Sequence, residues 1–134
     1  MPFDKVDLLL FDHIPAFLIA ESNNHHKWEC GRVKISSKGA IGLWQVKPCT
    51  AEYFNLKNPT VRQFDREYTA DDLKKKTINQ RVGYWYLRFC YERTGDLARA
   101  FSAYNLGHNS RDFNASYVSK ILGGRNAEVD FSVQ

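Results

Sequence analysis

The chain has 134 residues, of which 43% are hydrophobic and 14% aromatic, so it suits one compact domain with a real core and is not a disordered chain. Its net charge of +4 suits an anionic partner, but nucleic acid, a membrane surface and a bacterial cell wall all qualify, so charge selects none of them. The three cysteines, Cys30, Cys49 and Cys90, are odd in number and lack CxxC spacing, which argues against a disulfide framework or a zinc site.

Helical periodicity dominates. Residues 4–12 read as a first helix, with Val6, Leu9 and Leu10 on one face. The apolar run Leu8–Phe11 is preceded by Asp4 and Asp7 and interrupted by Asp12, His13 and Pro15, so it is no standard signal peptide. No stretch is long enough to cross a membrane, and stable insertion is not expected. Pro15 either opens a second helix or kinks a longer one. Ala16–Ala20 is apolar on almost all sides, which predicts a helix buried on most of its surface. Residues 23–39 read as loop, with a short strand pair around Arg32–Ile35. Residues 40–46 are compact and apolar, and Cys49–Phe54 reads as a short helix after Pro48. Asn58-Pro59 marks a turn, and residues 60–70 carry few regular signals. Asp71-Asp72 is expected to cap a helix, with Lys74, Lys75 and Lys76 as a solvated basic face. A long helix follows over Thr77–Arg93, ended by Gly95, with Cys90 as a core thiol. Asp96 opens the next helix through Tyr104, and a last one covers Ala115–Leu122. The reading is a mainly α single domain over residues 1–134, with at most a short β-hairpin.

Glu21 follows five apolar residues near the end of the second helix. A helix C-terminus disfavours another negative charge, and partial burial does the same. Both effects hold a carboxyl protonated towards neutral pH, as a general acid requires. The alternative is an ordinary exposed glutamate at a fraying helix end. In Gly39-Ala40-Ile41-Gly42-Leu43-Trp44-Gln45, the glycines permit close backbone approach and Gln45 suits an amide or hydroxyl of a sugar; the alternative is a plain turn with a solvated glutamine. Tyr104 and Asn105 close an apolar helix before Gly107, and the Tyr104 hydroxyl is a hydrogen-bond candidate for the Glu21 carboxyl. A core ring with a wet hydroxyl would look the same.

Glu21-Ser22, then Ser36-Ser37-Lys38-Gly39-Ala40-Ile41-Gly42-Leu43-Trp44-Gln45, then Ala103-Tyr104-Asn105-Leu106-Gly107 occur in one order. They resemble the ES, SxxGAxGLMQ and AYNAG motifs of the soluble lytic transglycosylase family, in the goose-type lysozyme-like clan. Asn79, Gly83, Tyr86 and Leu87 are similar to that family's N-I-x-x-G-x-x-Y-L helix, and Tyr117-Val118 to its closing tyrosine segment. The resemblance covers roughly residues 14–122. It implies a lysozyme-like fold and cleavage of the β-1,4 bond between N-acetylmuramic acid and N-acetylglucosamine in peptidoglycan. It also implies that Glu21 is the single catalytic acid, protonating the leaving oxygen and then acting as base on the muramoyl C6 hydroxyl. The product would be a 1,6-anhydromuramoyl end, with the substrate's own acetamido group assisting. By the same resemblance Ser36 and Gln45 contact sugar, Tyr104 lies near the acid, and Asn105 is its motif neighbour. No cofactor is implied.

Three departures stand out. The stretch between Glu21 and Ser36 is longer than the family's, lacks its Asn-Pro, and carries His25, His26, Trp28 and Glu29. Trp44 replaces the groove-lining methionine and either stacks on a sugar or narrows the site, and Gln80 replaces an isoleucine. Glu29 or Asp65 is a candidate second carboxylate, which would make the protein a water-using lysozyme. A wall-binding module without activity is a further alternative, disfavoured by the retained Glu21. His25-His26 is not expected to hold a metal, because adjacent residues seldom converge on one ion and no third ligand accompanies them. A nucleic-acid partner is not expected without a basic recognition helix. The expected setting is a monomer acting on the bacterial wall from the periplasm or a virion, and the compact size suggests a phage lysin, a virion-borne enzyme or a secretion-system component.

Overall fold

The computed structural model describes residues 4–54 and 68–123. Their secondary structure is helical: α1 (Lys5–Phe11), α2 (Ile14–Ser22), α3 (Pro48–Phe54), α4 (Ala70–Leu73), α5 (Lys76–Thr94), α6 (Leu97–Leu106) and α7 (Ala115–Leu122). The expected strand pair is reduced, among the described residues, to isolated antiparallel bridges: Lys27 with Val33, Ile35 with Ile41, and Ile41 with Val46. The fold class is mainly α, as expected. The chain forms two compact units, Met1–Ala20 with Trp85–Gln134, and Glu21–Tyr84.

Local signals account for most helix ends. Asp4 caps α1 in a capping box with Asp7. Pro15 stands in the first turn of α2, where its missing N–H costs no hydrogen bond. The cap expected from Asp71-Asp72 belongs to Thr69, which accepts from the Asp72 amide and opens only the short α4; α5 starts anew at Lys76. Asp96 and Asn114 cap α6 and α7. The burial expected for α2 is only partly met: Phe17 and Leu18 are buried, but Ile19 is 58% exposed. Its run is apolar on every side, and hydropathy alone cannot say which side finds a partner.

In the first unit, Leu10, Phe17, Leu87, Cys90, Phe101, Val118 and Ile121 form the core. Burial pushes the Cys90 thiol up to about 12, which makes it an inert packing group. Phe17 meets Tyr104 edge to face, with centroids 4.8 Å apart. Asn114 donates its backbone N–H to Ser102 Oγ at 2.9 Å and its Nδ2 to Asn105 Oδ1 at 2.9 Å, so α6 sets the start of α7. In the second unit, Ile41, Leu43, Trp44, Val46, Leu73 and Val82 are buried. Gly83 is required there, because a Cβ at that position would lie 2.5 Å from Trp44 Cβ.

Arg88 grips both acids of α1, with Nη1 and Nη2 on Asp4 at 3.0 and 2.6 Å and Nη1 on Asp7 at 2.9 Å. The guanidinium hydrogen bonds, and then the Asp7 amide, hold the Asp4 carboxyl at about 2, below its ordinary 3.8. A depressed carboxylate contributes stability above its unfolded value and loses it as pH falls through its folded value. The melting-temperature gap between wild type and Arg88→Met is expected to be modest at neutral pH, because Asp4 is exposed while Arg88 and Asp7 are partly buried. It should close as pH falls from about 4 to about 2 in thermal melts. A gap that is constant over that window would remove Asp4 from the interaction.

Candidate active site

The end of α2 is set by two asparagines. Asn23 and Asn24 both take left-handed backbone, with φ of 56° and 60°, a conformation asparagine tolerates better than most residues. The helix therefore stops directly after Glu21-Ser22, leaving Glu21 half-buried in the last turn. The terminal carbonyl of Ser22 accepts from the ammonium of Lys34 at 2.6 Å. A cation thus sits on the negative end of α2, so the helix-end field argued from the sequence does not act on Glu21 uncompensated.

Facing this end within the same unit is the turn Ile41–Val46. Its ends pair through Ile41 N–H to Val46 O at 2.9 Å and Val46 N–H to Ile41 O at 3.0 Å. Gln45 has a left-handed φ of 48°, uncommon outside glycine and sustained only where surrounding bonds enforce it. The enforcing bonds come from side chains. Ser22 Oγ donates to the Leu43 carbonyl at 2.7 Å. The Leu43 amide donates to His26 Nδ1 at 3.0 Å, and His26 Nε2 meets the Lys74 carbonyl at 2.7 Å. A backbone amide only donates and a carbonyl only accepts, so the His26 ring is the neutral Nε2–H tautomer. Asn79, fully buried, accepts from the Trp44 amide at 2.8 Å and donates to the Ile41 and Leu73 carbonyls at 2.7 and 2.9 Å. Gly42 closes the packing: its φ is 74°, and a Cβ there would lie 2.5 Å from His26 Cε1 and 2.7 Å from Asn79 Nδ2.

The candidate residues fall as follows. Ser22 ties the Glu21 helix end to the turn that carries Trp44 and Gln45. Gln45 is half-buried and folds its Nε2 back onto the Gly42 carbonyl at 2.9 Å, which leaves its Oε1 as an acceptor. Ser36 is exposed, and its Oγ accepts from the amides of Ala40 and Lys38 at 3.0 and 3.3 Å, shaping the approach to the turn. Trp44, expected at a sugar, is 1% exposed and meets Tyr84 edge to face, as a core ring does. Tyr104 and Asn105 belong to the first unit, where Tyr104 is 8% exposed and Asn105 supports Asn114. Glu29 is exposed in the loop after Trp28, and Asp65 lies outside the described residues. His25 is exposed, whereas both ring nitrogens of His26 engage backbone groups.

His26, Lys34 and the bracing role of Ser22 were not foreseen. A histidine among exposed neighbours gives no sign from sequence that its ring turns inward. Asn79 was visible only as part of a motif. His26→Leu should leave the Leu43 amide and the Lys74 carbonyl without partners and lower stability by about 1–3 kcal/mol in denaturant titrations. His26→Asn, whose Oδ1 can stand where Nδ1 stands, should lose clearly less. Equal losses for the two variants would show that the Leu43 bond carries no weight.

No helix of the described residues is long and apolar enough to cross a membrane. No curated protein and no solved structure matches the chain. The family model of the transglycosylase SLT domain matches residues 21–121, from the proposed acid through α7. That span is the larger part of the chain and holds the braced turn whole, so this protein belongs to the transglycosylase SLT family, whose mainly helical lysozyme-like domain acts on peptidoglycan.

Proposed function

We propose that the protein is a lytic transglycosylase that cleaves the N-acetylmuramic acid–β-1,4–N-acetylglucosamine bond of peptidoglycan with Glu21 as its one acid and base. The observation that carries this reading is the Ser22 Oγ bond to the Leu43 carbonyl. It joins the helix end bearing a half-buried carboxyl to a turn whose backbone geometry is enforced from several sides, the kind of preorganised support a catalytic group needs.

In the proposed reaction the Glu21 carboxyl gives its proton to the glycosidic oxygen as the C1–O bond breaks. The acetamido oxygen of the substrate stabilises C1 from the opposite side. The Glu21 carboxylate then takes the proton of the C6 hydroxyl while O6 bonds to C1. The products are an N-acetylglucosamine end with a restored hydroxyl and a 1,6-anhydromuramoyl end, and Glu21 returns protonated. No water is consumed, so no second carboxylate is needed. Gln45 Oε1 and the Ser36 hydroxyl proton are available as sugar contacts, and the braced backbone keeps Gln45 from relaxing out of its left-handed conformation. Tyr104 and Asn105 are assigned by the family motif, Tyr104 as the hydroxyl near the acid. The site of action is the bacterial cell wall.

Mass spectrometry of muropeptides released from purified peptidoglycan tests the reaction. Anhydromuramoyl products, lighter by one water than hydrolysis products, are expected. Reducing-end products would replace this reading with a lysozyme in which Glu29 or Asp65 holds the water, and the absence of any product would favour a wall-binding module. Glu21→Gln should lower turnover by about 10²- to 10⁴-fold with the fold intact by circular dichroism. Substantial remaining activity would remove Glu21 from the acid role. Tyr104→Phe keeps the ring that packs on Phe17 and removes only the hydroxyl, so activity should fall less than in Glu21→Gln. Unchanged activity would end the proposed role of the hydroxyl.

A further inference from the structure

The stretch between α2 and the braced turn is where this chain departs most from its family's motif, and it leaves one large ring in solvent. Trp28 is 55% exposed. Its backbone is nonetheless pinned. The Trp28 amide donates to the Arg32 carbonyl at 2.8 Å, the Gly31 amide donates to the Trp28 carbonyl at 2.9 Å, and Lys27 bridges Val33. One ring face is backed by the Lys34 ammonium, 4.6 Å from the ring centroid. The same ammonium holds the Ser22 carbonyl at 2.6 Å, one residue beyond Glu21.

We infer that Trp28, backed by Lys34, is a stacking platform for an N-acetylhexosamine ring of the glycan strand, a subsite built by the loop between Glu21 and Ser36. The inference rests on the peptidoglycan reading above and extends it to a residue outside the family motifs. The pinned backbone and the Lys34 contact hold the indole in place with a broad apolar face open to solvent. The C–H face of a pyranose fits such a surface, while the ring's edge N–H can donate to a hydroxyl or acetamide. The loop's charge favours the same occupant: Lys27, Arg32 and Lys34 outweigh Glu29, which suits a strand carrying anionic stem peptides. Lys34 couples the platform to the catalytic helix end, because one ammonium supports both the indole and the Ser22 carbonyl. A sugar stacked on Trp28 is thereby held in register with Glu21, and the platform acts on binding rather than on proton transfer.

The test uses the full chain in a Glu21→Gln background, so that no turnover intrudes, titrated with the N-acetylglucosamine tetramer by calorimetry and tryptophan fluorescence. Binding with a change in indole emission is expected. Adding Trp28→Ala should weaken it roughly tenfold and abolish the emission change, while Trp28→Tyr, which keeps a ring, should recover most of the affinity. An exposed residue on a pinned turn can be replaced without loss of fold, which circular dichroism checks. Tetramer binding by Trp28→Ala within twofold of its parent overturns the platform, as does a parent that does not bind the tetramer. The muropeptide products of the unmodified protein report separately on the reaction, so the platform can fail while the transglycosylase reading stands.

Discussion

The two peptide groups that flank Leu43 are the point on which the second unit turns. The Leu43 carbonyl is taken by Ser22 and the Leu43 amide by His26, so the planar group on each side of this residue is held by a side chain distant from it in sequence. Asn79 takes the Trp44 amide, which shares a planar group with the Leu43 carbonyl, and also binds the Ile41 carbonyl. Buried backbone groups in an irregular turn have no helix or sheet ladder to satisfy them, and each left open would cost more than an average hydrogen bond contributes. The left-handed Gln45 and the close approach at Gly42 persist because this cage leaves the turn no relaxed alternative.

That arrangement changes the meaning of the long stretch after Glu21. It is not simply an extended surface loop. Asn23 and Asn24 end the helix, His26 turns inward as a strut, Trp28 stays outside, and Lys34 returns to the helix end. The adjacent histidines divide into an exposed member, His25, and one, His26, whose two nitrogens both engage backbone groups. The Lys34 contact also revises the electrostatic argument for Glu21. The pull of a bare helix C-terminus is compensated by the Lys34 ammonium on the Ser22 carbonyl.

The first unit shows how a motif residue can carry a structural task. Asn105, singled out by the family motif, supports Asn114, which caps α7, and the Tyr104 ring packs between Phe17 and Tyr86. Neither observation argues against a role at the substrate. A ring fixed by its neighbours aims its hydroxyl more reliably than a mobile one.

What the sequence determined by itself was local. Apolar spacing, Asp4, Pro15, Asp96 and Asn114 mark the helices, since capping and periodicity act within a few residues. The ordered motifs around Glu21, Gly42 and Tyr104 were enough to point to the family. Only the tertiary structure decided the rest. It left Ile19 in water, buried Trp44, and turned His26 and Lys34 onto backbone groups. Each of these depends on partners distant along the chain, and a residue's type states which bonds it can make without saying which groups will be there to make them.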